Sequence, residues 1–198
     1  MLAMEIDVLH LANPVTRRFR GRHLHNAVPD AGPALAIDRL FDEFFELEWI
    51  FDHRHGASGA LLASVAAALL DRRGWHARVV GCQCEVKKGG RAFHLGVRDW
   101  AASEPGRGHA VCVVEDRLIV DFALADVRRT FERGFPWGIA TPIVRVGDGL
   151  ASLPIAGHGR VRWSGEAPAL AAADAMKVAT LLPRLLLDHA QAFGDGAT

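Results

Sequence analysis

At 198 residues, half of them apolar, the chain is long enough to build one sizeable core, and one domain spanning residues 1–198 is the expected organisation. Its 23 basic residues balance 23 acidic ones. No net field therefore draws it to nucleic acid or to an anionic membrane, and the interspersed charges read as a solvated surface. Three cysteines do not make a disulfide framework.

The first residues carry Glu5 and Asp7 where a targeting segment would carry basic residues before an apolar run. The longest apolar stretch, Ala57 to Leu70, is interrupted by Ser58, Gly59 and Ser64 and is shorter than a membrane span. The expectation is a cytoplasmic protein without a membrane or nucleic-acid partner.

Residues 1–12 alternate as a strand, with Ile6, Val8 and Leu11 set against Glu5, Asp7 and His10. Residues 13–33, punctuated by Pro14, Gly21, Pro29, Gly32 and Pro33, read as loop. Their arginines 17, 18, 20 and 22 read as solubilising. From Ala34 to about Phe51 apolar residues recur at three- and four-residue spacing, the pattern of a helix with one buried face. A polar break, His53-Arg54-His55-Gly56, precedes a second helix from about Ser58 to Arg73. This helix is apolar on every side, as befits the middle of a domain, and Gly74 stops it.

Strands follow at Ala77–Val86 and Ala92–Val97, joined by a turn over Lys87-Lys88-Gly89-Gly90. Residues 99–108 are loop. His109–Val114 and Leu118–Ala123 form a hairpin around Glu115-Asp116-Arg117. Phe131–Trp137 is loop, Ile143–Val146 and Arg160–Trp163 are short strands, and Pro168–Phe193 is a closing helix, kinked or split at Pro183. Helices first, then an antiparallel sheet, then a helix make an α+β fold.

Three segments carry the chemistry: His55-Gly56-Ala57-Ser58-Gly59 opening the buried helix, Leu69-Leu70 through Gly74 to Ala77-Arg78-Val79 leaving it, and His109-Ala110 with Asp121 on the hairpin. Over residues 55–125 their order and spacing resemble the transglutaminase-like superfamily of the papain-like fold. There a cysteine opens the central helix, and a histidine and an aspartate on neighbouring strands complete a triad. The resemblance implies a papain-like fold, with N-terminal helices packed on an antiparallel sheet and a C-terminal helix. It also implies hydrolysis or transfer of an acyl group from an amide or thioester, the substrate being a peptide, a protein or a small molecule. The physical logic holds, since the positive end of a helix favours an anionic nucleophile, an imidazole takes its proton and a carboxylate fixes the imidazole's tautomer.

The family's cysteine falls at Ser58 or Gly59. A Ser58–His109–Asp121 triad is one expectation. The other is a pseudoenzyme whose cleft binds a peptide or small molecule, because Gly59 has no side chain and serine's high pKa suits it poorly to a base tuned for a thiol. Ser58 at a helix start is also an ordinary N-cap, and Asp121 could simply end a strand. Parity adds a condition. Side chains alternate along a strand, so His109 and Asp121 share a face only if the hairpin loop has three residues or a bulge. Cys112 then points away from His109. Metal sites built on His53, His55 and His109, or on Cys82 and Cys84 with His76 or His94, have weak spacing. The expectation is no metal and no cofactor.

Overall fold

The computed structural model describes residues 15–19, 22–51, 54–55, 58–98, 104–167 and 169–194. Four helices are described: α1 (Ala31–Glu46), α2 (Gly59–Arg72), α3 (Ala125–Thr130) and α4 (Ala172–Phe193). The strands are β1 (Val15–Phe19), β2 (Arg22–Asn26), β3 (Ala77–Lys88), β4 (Arg91–Leu95), β5 (Ala110–Val114), β6 (Leu118–Asp121), β7 (Gly138–Pro142), β8 (Gly149–Ile155) and β9 (Gly159–Ala167). All nine belong to one sheet in the order β1-β2-β7-β6-β5-β3-β9-β8, with β4 paired to β3. The fold is α+β. No helix among the described residues is long and apolar enough to cross a membrane.

Alternation along the strands divides the core into two layers. Cys112, Val114, Leu118, Val120 and Phe122 face α1 and α2, together with Leu61, Leu62, Val65 and Leu70 of the central helix. The other face carries Val80, Cys82, Cys84, Val111, Val113, Ile119 and Trp163, covered by Leu124, Val127 and Phe135. Helix α2 is buried almost all round, as its unbroken apolar run requires. Its C-terminal end is tied down by an ion cluster. Glu43 of α1 accepts from Arg39, from Arg73 and from Nε2 of His189 on α4 at 2.9 Å.

Several elements differ from the sequence expectation. Residues 15–19 and 22–26, expected as loop, are strands paired antiparallel. The second strand is held by a parallel pairing with β7, Leu24 opposite Gly138, which no local pattern announces. Among the described strands that pair is the one parallel ladder in a sheet expected to be antiparallel. The segment Ile143–Val146 is a connection joined to β8 by a single bridge, and its Val144 and Val146 point into solvent. The strands lie on either side of it. Residues 125–130 are helical, although too short to show a period. Helix α4 runs unbroken through Pro183, where the ring stands on the exposed side and water can serve the carbonyl it frees. The strand expected over residues 1–12 lies outside the described residues.

Candidate functional site

The hairpin decides whether the histidine and the aspartate meet. Val114 pairs with Leu118, Val113 with Ile119 and Cys112 with Val120, which leaves three residues in the loop. Glu115 and Asp116 both adopt positive φ, at 52° and 51°, and Arg117 is the extra residue. The loop is pinned from β3. The Glu115 carboxylate accepts from the backbone N–H of His76, and the Asp116 carboxylate accepts from Nε of Arg78 at 2.8 Å. With this register His109 and Asp121 share a face. His109 Nε2 donates to Oδ2 of Asp121 at 2.9 Å, with both side chains buried.

The carboxylate has further donors. Trp163 Nε1 donates to the same oxygen at 2.8 Å, and the backbone N–H of Ala123 donates to Oδ1 at 3.0 Å. Burial would push the carboxyl of Asp121 up. The charge and hydrogen bond of His109, with the bonds from Trp163 and Ala123, outweigh it and hold the group below the ordinary carboxylate range. Sequence reasoning gave Trp163 no part in the site, placing it only at the end of a short strand. The available signal was its alternation with Val161 on one strand, since a buried indole N–H needs an acceptor.

In the neutral ring with its proton on Nε2, the other ring nitrogen is the acceptor. It faces the start of α2. A Cβ built on Gly59 would stand 2.8 Å from His109 Nδ1 and 2.9 Å from the backbone nitrogen of Ala110. Glycine is therefore what lets the helix end rest on the His109–Ala110 peptide. Of the two residues at the helix start, Gly59 lies against the imidazole. Ser58 is the residue before it, half-buried, and its hydroxyl makes no cap hydrogen bond, contrary to the ordinary N-cap expectation. The seam between α2 and the hairpin, lined by Gly59, Leu62, Ala63, Ala110, Val120 and Phe122, holds no room for a water molecule.

None of the cysteines offers a thiolate to the imidazole. Cys112 belongs to the helix-side layer, turned from His109, and burial pushes its thiol up to about 12. Cys84 does approach the pair. Its sulfur and the ligand atoms of His109 and Asp121 lie within 4.8 Å of one another, and among the described residues these three are the group that could surround a metal ion. The thiol of Cys84 is held well above its ordinary range by burial and by the charge of Asp121, whereas metals take the thiolate. Both carboxylate oxygens are already occupied by N–H donors. The arrangement is complete as a hydrogen-bond network. His55 does not join it, neither His76 nor His94 closes on the cysteines, and His53 lies outside the described residues.

Three buried groups make the fold acid-sensitive. Glu43, like Asp121, is held below the ordinary carboxylate range: burial opposes this, but His189 and Arg73 prevail. Burial lowers the pKa of His25, whose Nε2 meets no hydrogen-bond partner. A depressed carboxylate contributes stability above its unfolded pKa and loses it as pH falls through the folded one. A histidine with a lowered pKa resists a proton that the unfolded chain accepts at about pH 6.5. All three act in one direction. The midpoint of urea denaturation is expected to hold steady above about pH 7 and to fall below about pH 6.5, each differential proton contributing about 1.4 kcal/mol per pH unit. A midpoint unchanged down to pH 4 would contradict these assignments.

No protein-family model, curated protein or solved structure matches the chain.

Proposed function

We propose that the chain is a transglutaminase-like protein that has lost its nucleophile, a pseudoenzyme rather than a hydrolase or acyltransferase. The observation that carries this reading is Gly59. It stands against the acceptor nitrogen of His109, where a triad needs a side chain able to attack, and the space for one is taken by the Ala110 backbone. In support, the His109–Asp121 pair keeps the geometry of a base with its orienting carboxylate. Its burial and the Trp163 bond give the pair a role in holding the sheet together.

A second reading keeps catalysis, with Ser58 as nucleophile, His109 as base and Asp121 as orienting group. What favours it is the Ser58 hydroxyl, which is not engaged in capping α2. One experiment separates the two. The purified protein is offered a panel of amide and thioester substrates and a serine-directed fluorophosphonate probe, beside Ser58→Ala. The pseudoenzyme reading expects neither turnover nor labelling, and no difference in the variant. Turnover or labelling that vanishes in Ser58→Ala would replace it with the catalytic one.

A further inference from the structure

Helix α4 packs on the domain through one face only. Leu185 and His189 are buried, and Val178, Leu181, Leu182 and Leu186 are partly so. The opposite face carries Ala173, Met176, Thr180, Pro183, Leu187 and Ala190. Five of these are exposed and Ala190 half so, with Met176 at 69 % and Leu187 at 57 %. Their spacing runs 3-4-3-4-3, the seam of a coiled coil, and no charge interrupts it. The two polar features of the stripe are internally satisfied. The Thr180 hydroxyl is turned back to the carbonyl of Met176 at 2.9 Å and so presents its methyl, and Pro183 has no N–H.

The spacing reads the same in both directions, and this selects the occupant. Laid antiparallel on a copy of itself, the stripe places Ala173 opposite Ala190, Met176 opposite Leu187 and Thr180 opposite Pro183, so each large side chain meets another large one. A two-fold axis between residues 181 and 182 generates the whole set, which is the self-complementarity an isologous interface demands. In that register Lys177 comes within two residues of level with Asp188 of the second copy. Asp188 faces its own Arg184 only at 4.0 Å. We propose that this face of α4 is the interface of an antiparallel, two-fold symmetric dimer of the chain. A single helix pair lies at the small end of interface sizes, so association is reversible and depends on concentration.

The test uses the full chain in sedimentation equilibrium. The wild type is expected to shift from monomer to dimer as concentration rises through the micromolar range. Met176→Glu and Leu187→Glu, on exposed positions that leave the circular dichroism unchanged, are expected to keep it monomeric. Register is read by mixing Met176→Cys with Leu187→Cys under mild oxidation. The mixture should form a disulfide-linked dimer in several-fold excess over either variant alone, the native cysteines being buried. A wild type that stays monomeric to several hundred micromolar, as it would if the face served another protein, overturns the proposal. So does a dimer indifferent to both glutamates, or a mixture that links no better than its parts.

Discussion

Replacing Asp121 by alanine is expected to lower the stability of the folded chain by about 3–5 kcal/mol, the range for removing one partner of a buried pair. The side chain is fully enclosed and its two oxygens serve three donors on three different segments. Alanine leaves the N–H groups of His109, Trp163 and Ala123 without an acceptor and without water to replace it, and each orphaned group carries its own desolvation penalty. A domain has some 5–15 kcal/mol in total, so the variant stands near the edge of folding. Asparagine would be a poor substitute, because its amide turns a donor toward other donors. Urea denaturation monitored by tryptophan fluorescence measures the loss. A change below about 1 kcal/mol would mean that the network does not hold the hairpin to β9.

The second large effect concerns Gly59→Cys, the substitution that would place a thiol at the position facing the imidazole. It is expected to yield no acyl transfer and to cost about 1–3 kcal/mol, as overfilling a packed site does. The first carbon of the new side chain would stand 2.8 Å from His109 Nδ1 and 2.9 Å from a backbone nitrogen. The imidazole is itself bound to Asp121, and the backbone atom belongs to a central strand, so neither can move independently. Thermal denaturation and a thioester hydrolysis assay on the same preparation check both halves. A variant that folds as well as the parent and hydrolyses the thioester would show that the helix can withdraw, and would refute a closed site.

How much of this was legible beforehand follows from how local each signal is. Helix α2 announces itself because fourteen residues without a polar face have one place to go, and the hairpin because two apolar runs flank a charged turn. The meeting of His109 with Asp121 depended on one residue of register. Parity stated that condition, but the contacts of Glu115 and Asp116 with residues 76–78 chose the outcome. Trp163 lies forty-two residues from its acceptor, so alternation within β9 can bury the ring but cannot name its partner. The same holds for Glu43 and His189, one hundred and forty-six residues apart, and for β2, whose Leu24 looks like loop until Gly138 is beside it. The choice between Ser58 and Gly59 turned on an atomic distance that spacing cannot supply.

The parallel pairing of β2 with β7 also bears on how the chain matures during synthesis. Leu24 emerges from the ribosome more than one hundred residues before the Gly138 it lies beside, and α2 emerges before the strands that will enclose it. For much of translation the most oily segment of the protein has no sheet to rest on, and contacts so distant along the chain are slow to close. Until the later strands have been made, residues 59–72 have no sheet face against which to bury their apolar sides.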